Sequence, residues 1–260
     1  MKKYLSYAIE TFKTGGVKLF LISLKYFLFK KVPSKNMEIS NPEMGTFLCR
    51  ENTTDFMYSF FSYEYRIKTC IKSLIKEFDA FVDIGACIGD YSIWLGKHNL
   101  QCVAFEPTKD NYNSLVNNIK LNHLEESITA FNYGLGSKSE KVIFHTHPNN
   151  RGYSGKYATF NDSIEHEVEI KVFDDIFETI GLNYDQAIIV KIDAEGMEAD
   201  IIAGAKQFFS KARKILLIFE SHTRAEDTLN ELKKITSIEV IDMDELNIGV
   251  LIDNNHRVAS

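Results

Sequence analysis

The residues best suited to chemistry fall at the ends of apolar runs. Phe81-Val82-Asp83-Ile84 is followed by Gly85-Ala86-Cys87-Ile88-Gly89, an acidic strand end and then a tight glycine turn. Such a strand–loop–helix corner lets a ligand lie against bare backbone at the carboxyl edge of a sheet. Gly85 and Gly89 permit dihedrals and close approaches that a side chain would block. The glycines do not follow G-x-G-x-x-G, so a pyrophosphate is poorly served. Asp83 would repel phosphate and suits a cation. A carrier with an ammonium, a sulfonium and no phosphate fits that chemistry, and S-adenosylmethionine is such a carrier.

Glu106 closes the next apolar run, 21 residues after Gly85. An acidic residue about 20 positions past the glycine loop is where a ribose hydroxyl pair is gripped, and two carboxylate oxygens can accept from both hydroxyls. Pro107 follows it, and Gly134 opens a Gly-Leu-Gly turn at a third strand's end, beside the expected adenine position. The expected cofactor-binding set is therefore Asp83, Gly85, Ala86, Gly89, Glu106, Pro107 and Gly134. Asp193, Glu195, Glu220 and His222 lie at the ends of a fourth and fifth strand, where a reacting group would meet the cofactor. Asp193 and His222 are the expected catalytic pair, with Glu195 beside them. A neutral alcohol needs a base to remove its proton, and histidine is suited by a pKa near 6.5. Lys191, Asp193 and Glu195 alternate and would share one side of an extended backbone. Glu195 could instead cap the following helix.

The elements that position these groups read as alternating strands and helices. Helix Glu64–Glu77 leads into strand Phe78–Ile84. Strand Gln101–Phe105, helix Asp110–Asn122 and strand Ile128–Tyr133 follow. Strands Ala187–Ile192 and Ile215–Phe219 come later, and Ile238–Met243 with Ile248–Ile252 should close the chain as an antiparallel hairpin. Residues 140–172 interrupt this rhythm and read as an insertion or hairpin. His145, His147 and His166 alternate there without the spacing of metal ligands, so no metal site is expected.

The chain has 260 residues, 45% hydrophobic and 25% charged, enough for one large α/β domain with an extension. Its net charge of −6 argues against a general nucleic-acid binder. Cys49, Cys70, Cys87 and Cys102 form no C-x-x-C pair, and a reducing, cytoplasmic setting is the simplest reading. The charge is uneven: residues 1–35 hold eight lysines against Glu10, or +7, so the remainder carries −13. Lys13 to Lys31 combines lysines with a broad apolar face that is too charged to span a bilayer. It could lie in a membrane interface. The preferred reading is that it covers its own domain or a partner subunit. Residues 56–63 bring Phe56, Tyr58, Phe60, Phe61 and Tyr63 together, as a lid or, more simply, as core. The expected division is residues 1–63 as a basic, aromatic N-terminal helical extension and lid, and 64–260 as the catalytic domain.

The order of motifs resembles one family. Val82-Asp83-Ile84-Gly85-Ala86-Cys87-Ile88-Gly89-Asp90-Tyr91-Ser92, Ala104-Phe105-Glu106-Pro107, Val190-Lys191-Ile192-Asp193-Ala194-Glu195-Gly196-Met197-Glu198 and Ala203-Gly204-Ala205 are similar to the FkbM family of S-adenosylmethionine-dependent methyltransferases. The similarity covers about residues 64–222. It implies a class I, Rossmann-like α/β fold with strand order 3-2-1-4-5-7-6 and strand 7 antiparallel. It also implies O-methylation of a hydroxyl on a sugar, a glycan or a secondary metabolite. Cys87 departs from the asparagine usual at its position. The alternatives are a nicotinamide-dependent oxidoreductase, disfavoured by the glycine spacing, and a non-catalytic adaptor, which would have no need of the glycine loop and Glu106. The expected partner is a small-molecule or glycan acceptor and no nucleic acid, with peripheral membrane contact through residues 1–35 as the alternative to packing.

Overall fold

The computed structural model describes residues 2–147, 150–157, 163–220, 225–244 and 246–254. The chain begins with a helical segment, α1 (Lys2–Phe29), and a hairpin of β1 (Met37–Asn41) and β2 (Gly45–Cys49). Helix α2 (Tyr65–Leu74) then leads into β3 (Ala80–Ile84), α3 (Asp90–Lys97), β4 (Gln101–Phe105), α4 (Lys109–Leu121) and β5 (Ile128–Phe131). Next come β6 (Gly134–Leu135), β7 (Glu140–His147), β8 (Asn150–Gly155) and β9 (Ile164–Lys171). The short α5 (Phe173–Ile176) precedes β10 (Ala187–Ile192), α6 (Glu198–Ala203), α7 (Lys206–Lys211), β11 (Lys214–Glu220) and α8 (Ala225–Ile235). The closing strands are β12 (Glu239–Asp242) and β13 (Asn247–Asp253).

Seven strands form the main sheet in the order β12-β13-β11-β10-β3-β4-β5. The pairs from β11 through β5 are parallel, and β13 runs antiparallel to both β11 and β12. This is the strand order that the resemblance implied, with the closing hairpin where alternation without a helix placed it. β3 and β10 are buried along their whole length because helices cover both faces. Successive residues alternate between the two cores. Phe81 and Ile189 join the layer holding α3, Trp94 and the N-terminal segments, whereas Val82 and Val190 face Phe173, Phe177 and Phe208. Asp83 and Lys191, directly paired across β3 and β10, therefore share the first face.

β6, β7, β8 and β9 form a second sheet in the order β6-β9-β7-β8, in which β7 and β9 pair antiparallel. Gly204 passes so close to this region that an added Cβ would lie 2.0 Å from the Gly136 carbonyl oxygen.

The N-terminal segment is fastened by polar groups whose positions give no apolar period. Asn118 on α4 and Asn122, the residue that ends it one turn later, grip the free edge of β2. Asn118 Oδ1 accepts from Leu48 N at 2.8 Å, and its amide donates to the Ile88 carbonyl at 3.1 Å. Asn122 both accepts from and donates to the Thr46 backbone, at 2.8 and 2.6 Å. A side-chain amide thus completes the ladder that a further strand would otherwise supply. Removing both side chains leaves backbone groups unpaired at a cost of about 1–3 kcal/mol per buried group. An Asn118→Ala/Asn122→Ala variant is expected to unfold several degrees below wild type in a circular-dichroism melt. Retention of the wild-type midpoint would show that these bonds contribute nothing net.

Candidate active site

The main sheet ends its parallel strands on one edge, and the loops there are pinned to neighbouring strand ends. Gly85 N and Ala86 N both donate to the Phe105 carbonyl, at 2.9 and 3.1 Å, and Asp193 N donates to that of Ile84 at 2.9 Å. Gly85 is the closest approach: at φ +86, a Cβ on it would lie 1.9 Å from the Asp193 carbonyl oxygen. Only glycine lets these two loops meet. Gly89 turns the chain into α3 at φ +87, its missing Cβ leaving room for Leu115. Cys87 also takes a positive φ, 48°. Asparagine is enriched in that left-handed region, so the residue usual in the family fits the same backbone turn.

Two cavities adjoin this crossing, and Gly85 and Asp193 line both. The first, about 460 Å³ including space open to solvent, lies between Glu106, Pro107, Gly134, Met197 and the second sheet's Phe144 and Ile170. Glu106 is 4% exposed. Its Oε2 accepts from Cys87 N at 2.9 Å, while Oε1 accepts from Thr108 N at 2.8 Å and Thr108 Oγ1 at 2.6 Å. Oε1 is filled by Thr108, so capacity for a ligand hydroxyl rests on Oε2 rather than on both oxygens. Burial raises the Glu106 pKa, against the pull of the Thr108 and Cys87 donors and the Arg50 charge. Arg50 itself is held by a two-pronged pair with Asp55, at 2.7 and 3.0 Å, and donates to Asn111 Oδ1 at 2.8 Å.

The second cavity, about 700 Å³ and open to solvent, is lined by six carboxylates: Glu64, Asp83, Asp90, Asp193, Glu195 and Glu220. One cation, Lys191, lines it with them. Lys191 is 6% exposed and binds Asp193 Oδ2 at 2.7 Å. Burial alone would lower its pKa, but Asp193, Glu64 and Asp83 raise it above the ordinary lysine value. Its ammonium stands 4.9 Å from the centre of the Tyr91 ring, and the fully buried Lys68 stands 4.6 Å from the same ring. Lys68 donates to the Tyr63 carbonyl at 2.8 Å and lies 3.6 Å from Asp90 Oδ2; burial lowers its pKa. Tyr91 Oη donates to Glu64 Oε2 at 2.8 Å.

The acids respond to this crowding. Burial pushes Asp83 up to about 7, opposed by Lys191 and by the Ser92 hydroxyl that donates to it at 2.6 Å. Ligating oxygens of Asp193, Glu195 and Glu220 lie within 4.8 Å of one another. Burial, then the Asp193 charge, pushes Glu195 up to about 9 and Glu220 up to about 8. At neutral pH Glu195 and Glu220 therefore hold protons that isolated carboxylates would have released.

Asp83, Gly85, Ala86, Glu106, Pro107, Gly134, Asp193 and Glu195 thus gather around the two cavities, and Gly89 shapes the turn behind them. His222 lies outside the described residues. The expected alternation of Lys191, Asp193 and Glu195 does not persist: β10 ends at Ile192 and Glu195 turns to φ +50. The carboxylate that closes this turn is Glu198, whose Oε1 accepts from Ala194 N at 3.3 Å and Gly196 N at 3.2 Å. Glu195 is thereby left on the cavity wall. The aromatic run divides: Phe56 and Phe60 are core, whereas Tyr58 and Tyr63 line the cavity. Sequence reasoning overlooked Lys68, although a lysine among Ile67 and Ile71 on the apolar face of α2 was a usable signal.

Solved structures that resemble the chain include the methyltransferase FkbM from Methylobacillus flagellatus KT, at 18% identity, covering 76% of this chain and 53% of that one, with a TM-score of 0.47. The Pyrococcus abyssi tRNA (uracil-54, C5)-methyltransferase in complex with S-adenosyl-L-homocysteine is 10% identical, covering 84% and 44%, with a TM-score of 0.46. Precorrin-6y C5,15-methyltransferase from Geobacter metallireducens GS-15 is 13% identical, covering 73% and 87%, at 0.44. The chain spans about half the length of the first two. No curated protein matches it. The family model for the methyltransferase FkbM domain matches residues 83–243, more than half of the chain, and the protein therefore belongs to the FkbM methyltransferase family.

Proposed function

We propose that this protein is an S-adenosylmethionine-dependent O-methyltransferase acting on a hydroxyl of a sugar, a glycan or a secondary metabolite. The observation that carries this reading is the pair of cavities joined at Gly85 and Asp193, one walled by Glu106 and Gly134, the other acid-lined. A cofactor with an uncharged nucleoside and a cationic amino-acid end suits that division of polarity. Glu106 would take a ribose hydroxyl on Oε2, with Pro107 and Gly134 beside the base. Gly85 and Ala86 would offer close backbone, with Gly89 keeping the turn. Asp83 and its acidic neighbours would favour the positive charge. An excess of acid and the lack of a phosphate cradle count against a nicotinamide dinucleotide.

When bound, the carrier supplies an electrophilic methyl group on a sulfonium. The chain's task is to hold the acceptor oxygen in line and to receive its proton. Asp193, at the junction of both cavities and fixed by Lys191, would orient the hydroxyl. Glu195 beside it would take the proton, its raised pKa making it a stronger base than an ordinary carboxylate. His222, two residues past Glu220, is the alternative proton acceptor. Residues 1–63 would serve as extension and lid to the 64–260 transferase domain, a division supported by Tyr58 and Tyr63 on the cavity wall.

The reading is tested by titrating the protein with S-adenosylhomocysteine and with NAD, then following tritiated methyl transfer to a panel of sugar and small hydroxyl acceptors. Binding of NAD alone, or donor binding with no transfer to any hydroxyl, would overturn it. In calorimetry, Glu106→Ala is expected to weaken S-adenosylhomocysteine at least about tenfold, the scale of one hydrogen bond to a charged group. Asp193→Asn should change that affinity by less than about threefold while reducing kcat by about a hundredfold or more. A proton acceptor with a pKa near 9 is active only when ionised. Turnover should therefore rise with pH from 7 towards 9 in wild type, and Glu195→Gln should lose both the rise and most of the rate. A limb near 6.5 in both proteins would point to His222 instead.

A further inference from the structure

The N-terminal helical segment has two faces, and packing explains one of them. Its helix is broken at Gly15 and Gly16, the latter at φ 61 and ψ −155, and the second half folds back on the first. Tyr7 and Phe27 consequently meet edge to face at 5.2 Å, though 20 residues apart. The inner face is fixed to the rest of the chain. Glu10 accepts from Phe61 N and Ser62 N, both at 2.8 Å, Tyr7 packs on Phe60 and Tyr26 on Phe56. The preferred expectation of a helix that covers its own domain is met by this face.

The outer face is also apolar. Val17, Leu21, Leu24 and Leu28 repeat at spacings of four, three and four, which is one stripe of a helix, and are 59, 45, 39 and 64% exposed. Ile9 and Phe12 extend the exposed apolar surface on the first half, and Phe29 ends the second. Lys13, Lys18 and Lys25 are exposed beside these residues, with Lys30 and Lys31 just beyond. Residues 17–29 span only about 20 Å, short of the roughly 30 Å hydrocarbon core. No described helix is long and apolar enough to cross a membrane.

We infer that this outer stripe docks on the surface of an anionic lipid bilayer, the apolar side chains entering the acyl boundary and the lysines meeting the headgroups. Charge complementarity selects this occupant. Residues 1–35 carry +7 in a chain whose remainder carries −13. An anionic surface attracts that end and repels the rest, which turns the stripe towards it. A second copy docking by the same face would bring two such basic segments together. The inference is independent of the acceptor proposed above.

Flotation of the full chain with phosphatidylcholine vesicles, and with vesicles containing about one third phosphatidylglycerol, tests it. Wild type is expected to float with the anionic vesicles and to remain behind with the neutral ones. Leu21→Ser/Leu24→Ser/Leu28→Ser should lower partitioning at least about tenfold with a nearly unchanged thermal midpoint, since these side chains are exposed. Lys18→Gln/Lys25→Gln should weaken anionic binding by a similar factor. Equal partitioning of wild type and the triple variant, or no flotation of wild type, would overturn the inference. So would a concentration-dependent dimer in analytical ultracentrifugation that the triple substitution abolishes, which would assign the stripe to a second copy.

Discussion

Lys191 carries an ammonium into the interior of a parallel sheet, and much of the site is arranged around it. Its register partner on β3 is Asp83, its ion-pair partner is Asp193, and the Tyr91 ring lies beneath it. A charge taken out of water is tolerated only when it is paired and further hydrogen-bonded. Lys191 meets that demand with two carboxylates and an aromatic face, and Lys68, beside Asp90, stands against the same ring. Losing the Asp193 carboxylate would leave the buried ammonium less well compensated, at a cost moderated by the 36% exposure of the Asp193 side chain. Neutrality in this interior is a collective property.

Even so, the acids outnumber the cations at the cavity, and the excess is resolved by protons. Asp83, Glu195 and Glu220 all titrate above the ordinary carboxylate range, each first because it is buried and then because other acids are near. A cationic ligand entering this space would relieve repulsion and let protons leave. On the function proposed above, that coupling would favour a positively charged carrier and supply a carboxylate basic enough to be useful near neutral pH.

The N-terminal segment contributes to the site as well as covering the sheet. Tyr58, Tyr63 and Glu64 come from the stretch that joins it to α2, and all three line the acidic cavity. Arg50, braced by Asp55 and Asn111, lends positive charge to buried Glu106 from the other side. The asparagines of α4 hold the β2 edge, and Glu10 ties α1 to the loop at 61–62. The cavity wall is thus assembled from parts of the chain as distant in sequence as Tyr58 and Glu220.

The sequence by itself determined the order of the main-sheet strands and the helices between them, the glycine corner after β3, the acidic ends at Asp83, Glu106 and Asp193, and the closing antiparallel hairpin; it did not show the β1–β2 hairpin. Each of the features it determined is local: an apolar period sets which face is buried, a glycine permits a positive φ, and a missing crossover helix forbids parallel pairing. Tertiary structure alone decided that Lys68 would be buried, that Glu198 and not Glu195 would close the turn after β10, and that α1 would fold back at Gly15 and Gly16. It also decided that Gly85 would touch the Asp193 loop and join two cavities into one site. These outcomes depend on which surfaces meet. Contacts between residues as distant as 85 and 193 are settled by packing of the whole sheet, and no local period or spacing encodes them.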